Sequence, residues 1–349
     1  VARVRERARD LMRRTGADVD LVDLVDPDRA GAVLLLAYPD RLAMRRQPGQ
    51  YQMRNGSAAW FRNTDPLAHD QFIVAADLDG DRKNARVRLC AVVDDATIDE
   101  VLSDTLETER LIAYDKQRKD IVERVTVKLD RMRLREETRR PAPGDDAVRA
   151  LVEHIVQLRL APLPWSSNTS ELRARVNFLH REIGEPWPEW TDRTLISSVG
   201  EWLTPYLVGM TSLAELATLD LAMLLRSQLP WPEGARLDEL APRAIELASG
   251  RSLALDYASA VAEGTAPVVR VRVQDLFGTK AHPSLADGRV PLVLHLLSPA
   301  DRPIQVTSDL PGFWSGSWAD VKKDMAGRYP KHQWPDDPAN ADPKRMKDR

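Results

Sequence analysis

The stretch FIVAADLDGDRKNARVRLCAVV, residues 72–93, decides how the first part of the chain folds. Phe72–Leu78 and Arg86–Val93 are runs of strand length rich in β-branched and apolar side chains. Between them lies Asp79-Gly80, a dipeptide that accepts the positive φ of a tight hairpin turn. Tyr51–Arg54, followed by a second turn dipeptide Asn55-Gly56, and then Leu111–Tyr114 and Ile121–Leu134 read as further extended runs. Five strands in about ninety residues predict a small barrel. Inside 121–134 the alternation Val125, Val127, Leu129 resumes at Met132 and Leu134 with its parity shifted. A bulge near Asp130-Arg131 within one continuous strand would produce that shift.

The segments on either side are helical. Val1, Val4, Ala8 and Leu11 recur at helical spacing among arginines, and Ala30–Ala43 is a second helical run interrupted at Tyr38-Pro39-Asp40. Pro141–Asp146 is rich in breakers and reads as a linker. Beyond it helices are predicted over 148–160, 171–183, 194–208 and 213–224, the last opened by a Ser212/Glu215 capping box. From Arg251 strands are predicted at 252–257, 268–273, 291–297 and 304–306. Ser317 with Asp320 caps a closing helix that reaches about Ala326. The fold class is therefore α+β: a helical segment over 1–47, a small barrel over 48–140, a linker at 141–147 and a C-terminal domain over 148–349. That last domain divides into a helical part (148–245), a mixed α/β part (246–335) and a polar tail (336–349) expected to be flexible.

Composition bounds the function. The 349 residues are 43% hydrophobic and 30% charged, with net charge −3. This describes a folded chain of two or three domains and argues against a globally basic nucleic-acid binder, so any such contact must rest on local patches. One cysteine, Cys90, excludes an intramolecular disulfide and leaves no thiolate pair for a metal; a cytoplasmic location is expected. No stretch approaches the roughly 20 apolar residues of a membrane span. There is no G-x-x-x-x-G-K-[ST] loop and no D-E-x-H box to hold a nucleoside triphosphate. The six histidines show no H-E-x-x-H spacing, and no serine sits in a G-x-S-x-G elbow. His295, within a Leu-His-Leu-Leu run, is expected in the core. Neither a cofactor nor a metal is expected in this chain.

Three basic groups are candidate RNA contacts. Arg41, Arg45 and Arg46 form a compact turn after an apolar helix, where arginines either complement the helix dipole or face a phosphate backbone. Arg124, Lys128, Arg131, Arg133 and Arg135 alternate with apolar residues along the last predicted strand. They suit a track for a single strand and equally a solvated edge that discourages aggregation. In DLPGFWSGSWADVKKDMAGRYPKHQWP, residues 309–335, Lys322, Lys323, Arg328, Tyr329, Lys331 and His332 lie among tryptophans, a combination that stacks bases and neutralises phosphates. Trp318, Val321 and Met325 nevertheless fall at helical spacing, as core residues do.

That last segment carries a resemblance. Gly312-Phe313-Trp314, Gly327-Arg328-Tyr329-Pro330-Lys331-His332 and Trp334-Pro335 are similar to the C-terminal signature of HrpB-type DEAH-box helicases. Ala37-Tyr38-Pro39-Asp40-Arg41, Leu163-Pro164-Trp165-Ser166, Leu172–Val176, Leu203–Leu207, Leu237–Pro242, Gln274–Gly278 and Pro291–Pro299 resemble that family in the same order, across nearly the whole chain. The resemblance implies a ratchet-like helical segment, an oligonucleotide-binding (OB)-like barrel and the family's own C-terminal extension. In complete members, RecA-like motor domains that bind ATP and magnesium precede these parts; their motifs have no counterparts in these residues. Ser57–Phe61 departs from the more basic, glycine-rich stretch common in the family, and Ser249-Gly250-Arg251 sits in a shortened loop. The implied function is an accessory part of an ATP-dependent RNA helicase that contacts single-stranded RNA, with motor domains as partners in cis or in trans and no ATP hydrolysis unaided. The alternative is a protein-interaction module that does not bind RNA.

Overall fold

In the computed structural model, which describes residues 2–16, 26–80 and 84–342, helix α1 (Ala2–Thr15) is followed by α2 (Ala30–Ala37). The second helix stops where Pro39 removes a backbone donor. The chain turns through Pro39–Arg41 and enters strand β1 (Leu42–Gln47). The helical run expected to continue to Ala43 is thus cut short, and the barrel begins six residues before the expected boundary at 48. β2 (Gln50–Met53), β3 (Ala58–Trp60), β4 (Phe72–Leu78) and β5 (Asn84–Val92) complete a closed barrel ordered β1-β2-β3-β5-β4, with β4 pairing back on β1. Gly56, at φ 87°, supplies the positive φ of the β2–β3 turn.

The barrel wall is buried on both sides. Ala43, Tyr51, Met53, Ile73, Ala75 and Val87 point inward. Their alternating neighbours Leu42, Met44, Phe72 and Val74 meet Leu35 of α2, and Ile98 and Leu102 of α3 (Asp95–Leu102). This explains the uninterrupted apolar run at 72–75, which a strand facing water on one side would not show. The Tyr51 hydroxyl lies 2.8 Å from the carbonyls of both Leu67 and Asp70, which share its single proton, and burial pushes its pKa up to about 12.

The strands expected to finish the barrel leave it. β6 (Leu106–Asp115), β7 (Asp120–Leu129) and β8 (Met132–Arg139) form a separate three-stranded sheet. The parity shift at Asp130-Arg131 is a two-residue hairpin loop, not a bulge in one strand: Leu129 pairs with Met132, and Asp130 takes φ 53°. Leu129, Met132 and Leu134 pack onto the outer face of the barrel.

The chain divides into two compact units, one drawn from 1–113 and 122–140, the other from 114–121 and 141–349. In the second, α4 (Asp145–Gln157) leads to α5 (Ser167–Ile183), whose first turn is capped by Ser166. The helix expected over 194–208 is broken into α6 (Asp192–Ser197), α7 (Val199–Trp202) and a 3-10 turn at Thr204–Leu207, because the Ser198 hydroxyl bonds the Thr194 carbonyl and Pro205 supplies no donor. The helix expected over 213–224 divides likewise. Glu215 accepts from the amides of Thr211 and Ser212 to open a 3-10 turn, and Asp220 then caps α8 (Leu221–Arg226) through the Met223 amide at 2.9 Å.

After α9 (Leu237–Leu240), β9 (Ala244–Glu246) pairs with β10 (Ser252–Ala254), and α10 (Tyr257–Glu263) packs against α5. β11 (Val268–Arg272) runs parallel to β14 (Val293–Leu297), which pairs antiparallel with β15 (Pro303–Thr307); the short β12 (Ser284–Leu285) and β13 (Val290–Pro291) pair in between. Only alternate residues of β14 are fully buried. His295 falls on the other parity and is half-buried, outside the core where it was expected.

α11 (Leu310–Ser315) and α12 (Trp318–Arg328) bring Phe277, Phe313, Trp314, Trp318 and Trp334 into one aromatic cluster. The start of the expected flexible tail is tied to it: Trp318 Nε1 donates to the Pro335 carbonyl, Lys322 pairs with Asp336, and the Gly278 amide donates to the Pro338 carbonyl. The remainder of that tail, 343–349, lies outside the described residues.

Candidate nucleic-acid interface

Within the first unit, Arg46 at the end of β1, Lys128 of β7, Arg131 in the β7–β8 turn and Arg133 of β8 line one groove of about 520 Å3 together with Asp130. The two-residue loop does this: reversing the chain at Asp130 places Lys128 directly opposite Arg133 and leaves Arg131 at the tip. Charges this close would repel one another without compensation. Lys128 pairs with Glu109, Arg133 with Glu136 at 2.9 Å, and Asp130 is held by Arg54 at 2.7 Å. Arg131 has no acidic partner among the described residues. Exposed pairs of this kind are worth about 0–1 kcal/mol, so a phosphate can replace the carboxylates at little cost.

Arg46 is also a wall of a second groove, about 760 Å3, on the β2–β3 side of the barrel. Gln50, Gln52, Trp60, Asn63 and Asn84 line it. Both Nε and Nη2 of Arg46 donate to Gln52 Oε1, which leaves the Gln52 amide nitrogen directed away from that bond. Trp60 is 36% exposed with the Arg86 guanidinium 5.8 Å from its ring centre. A cationic groove adjoining one with an aromatic ring and amide side chains has the chemistry to hold phosphates and unstacked bases side by side. The pattern of basic residues in the sequence does not point to Trp60 and its amide neighbours. The signal that could have found them is Trp60 itself, a large aromatic at the end of a short strand.

The other candidates lie elsewhere. Arg41 donates to the Ala76 carbonyl at 2.8 Å and stacks on Tyr38, bracing the barrel wall. Arg45 is half-buried on β1 rather than at a helix end. Arg124 faces Glu136 at 3.5 Å, and Arg135 is bound by Asp95 and Asp99 of α3. In the second unit Lys322 pairs with Asp336 and Arg328 with Asp324, while Lys323, Lys331 and His332 are more open; His332 lies edge-on to Tyr329. The tryptophans among them are held in place, Trp314 and Trp318 buried and Trp334 half-buried, and the indole of each donates to a backbone carbonyl.

At the middle of the three-stranded sheet Glu123 is buried between Arg110 and Arg139, at 2.7 and 2.8 Å. Hydrogen bonds from Arg139 and Arg110 hold its carboxyl below the usual range. A carboxylate lowered in the folded state contributes stability that is present above its unfolded pKa, about 4.3, and is lost as pH falls through the lower folded value. Wild type should therefore lose urea resistance below about pH 4.3 more steeply than Glu123→Gln. Parallel pH profiles for the two proteins would refute this assignment.

A family model described as "ATP-dependent helicase C-terminal" (HrpB_C) matches residues 202–338, and the chain has the sequence and fold of a C-terminal region of an HrpB-type helicase. It is 35% identical over 358 residues to the ATP-dependent RNA helicase HrpB of Escherichia coli (strain K12), covering 97% of this chain and 42% of that protein. The crystal structure of the E. coli DExH-box NTPase HrpB matches with a TM-score of 0.55 at 32% identity, covering 98% of this chain and 42% of the other. The chain thus spans well under half the length of the relative it matches. No helix among the described residues is long and apolar enough to cross a membrane.

Proposed function

We propose that this chain is an accessory C-terminal portion of an ATP-dependent RNA helicase, contacting single-stranded RNA in the cytoplasm while motor domains, in cis or in trans, bind ATP and magnesium. In this reading the barrel is of the OB type and the α1 region is the remnant of a ratchet-like segment. The observation that supports it best is the convergence of Arg46, Lys128, Arg131 and Arg133 on one groove that adjoins the Trp60 groove. Single strands release about 0.7 counterion per neutralised phosphate, so binding of a fluorescent U15 RNA should weaken steeply with salt. Reversing two cations in Arg46→Glu/Arg131→Glu should raise Kd at least about tenfold at low salt and flatten that slope. Binding that ignores both salt and the variant would contradict the proposal.

The rival reading, a protein-contact module, is favoured by Trp231, which is 84% exposed. Under it, Trp231→Ala disrupts association with the motor domains, and the groove variant changes nothing.

A further inference from the structure

The second unit has a groove of its own, about 760 Å3, between the α4–α5 connection, α5, the residues that open α6, and α10. This is large enough for a nucleotide-sized ligand. At its centre the Arg173 guanidinium lies over the Trp165 indole, 5.2 Å from the ring centre. Neither group is free to turn. Arg173 donates through Nε to the Trp190 carbonyl and through Nη2 to Asp192, and Trp165 Nε1 donates to the Leu160 carbonyl. The result is a planar, cationic platform whose orientation is fixed before any ligand arrives.

Around it the charge is one-sided. Arg159 and Arg193 are exposed at the groove and have no acidic partner among the described residues, whereas the acid of the lining, Asp192, is taken up by Arg173. Ser170 is exposed beside them, and Ala161, Ala174 and Val261 give an apolar floor. Arg159 is held at the rim by unusual backbone. Arg159 and Leu160 both take left-handed conformations, φ 50° and 66°, although neither is glycine. Their amides bond the Val156 and Ile155 carbonyls, which turns the chain off the end of α4. Strained non-glycine backbone of this kind persists where the surroundings over-determine it, often at a ligand site.

We infer that this groove is a second binding site for a single strand, taking one nucleotide with its base stacked on the Arg173–Trp165 platform and its phosphate reached by Arg159 and Arg193. Arginine planes and indoles both stack unpaired bases, and the unpaired arginines supply the counter-charge. The inference rests on the RNA-binding reading above, but it concerns residues in the other unit.

The test uses the full chain and a 15-mer RNA carrying 4-thiouridine. Irradiation should give an adduct on the peptide containing Trp165. Arg159→Glu/Arg193→Glu should raise Kd at least about fivefold and lower the salt slope by about 0.7 for each phosphate that is no longer neutralised. Arg173→Lys, which keeps the charge and removes the plane, should abolish the adduct. If the wild type binds RNA, Arg46→Glu/Arg131→Glu weakens it and the Arg159/Arg193 variant does not, the groove is excluded while the helicase reading stands. If the wild type binds no RNA, both fall. Two further results overturn the nucleotide assignment: inorganic polyphosphate of matched charge binding as tightly as RNA and losing as much in the double variant, which would mark a plain anion site, or a 15-residue poly-glutamate outcompeting RNA, which would mark a peptide site.

Discussion

Arg175→Ala is expected to destabilise the second unit by about 2–3 kcal/mol, the cost of a cavity and of a buried carbonyl left without its donor. Arg175 sits on α5 with its side chain fully buried. It donates through Nε to the Ala241 carbonyl at 2.6 Å and through Nη2 to the Leu237 carbonyl at 3.3 Å and to Asp238. It therefore closes the C-terminal end of α9 and fastens that end to α5. Truncation leaves the Ala241 carbonyl without that donor and a cavity where the guanidinium was, both of which cost free energy, while the Leu237 carbonyl keeps the Ala241 amide. Asp238 is different: its side chain is 71% exposed, so water can replace what it loses. Asp238→Asn should cost less than about 1 kcal/mol. Urea unfolding of the two variants separates the cases, and equal effects would show that the backbone acceptors are not what Arg175 serves.

Gly31→Ala is expected to be destabilising by about 3 kcal/mol, against the usual helical trend. On an exposed helix the change gains about 1 kcal/mol. Gly31 is buried on α2, and a Cβ built there would lie 2.0 Å from the Val92 carbonyl oxygen at the end of β5. The obstacle is backbone on both sides, so it can be relieved only by lifting α2 off the barrel, which would open the cluster around Leu35, Phe72 and Ile98. Gly200 on α7 meets nothing within 4 Å and is the matched control. Thermal melts should show Gly200→Ala at or slightly above wild type and Gly31→Ala well below it; a neutral Gly31→Ala would mean that α2 does not sit this close.

Residues 72–93 did announce two strands of a barrel, because local alternation and turn chemistry are properties of neighbouring residues. Which strands close the barrel was not legible, since the pairing of β1 with β4 and of β3 with β5 joins residues far apart in sequence. The two-residue loop at Asp130-Arg131 shows a subtler limit. A bulge and a tight hairpin both shift the parity of an apolar pattern, and only the partner strand tells them apart. The same ambiguity governed the candidate site. Arg133 and Lys128 read as neighbours on one strand and stand opposite each other on two, which is why the groove forms at all. Charge compensation was equally invisible: the acids that neutralise these cations, Glu109 and Glu136, come from the neighbouring strand β6 and from β8. At the C-terminal end, the mixture of basic and aromatic residues concealed a division of labour, with Trp314 and Trp318 in the core and Lys323 and Lys331 exposed around it.

The breaker-rich stretch at 141–147 would be the obvious place to divide this protein, yet the second unit also owns residues 114–121. There Tyr114 stacks on His154 at 3.8 Å between ring centres, and Asp120 accepts from the Leu213 amide at 2.8 Å. A gene fragment beginning at the linker would discard a piece of the unit it was meant to encode, while one ending there would carry that piece without its partners. Duplication or recombination at this boundary therefore meets a structural penalty on both products, which favours inheritance of the two units as a single cassette.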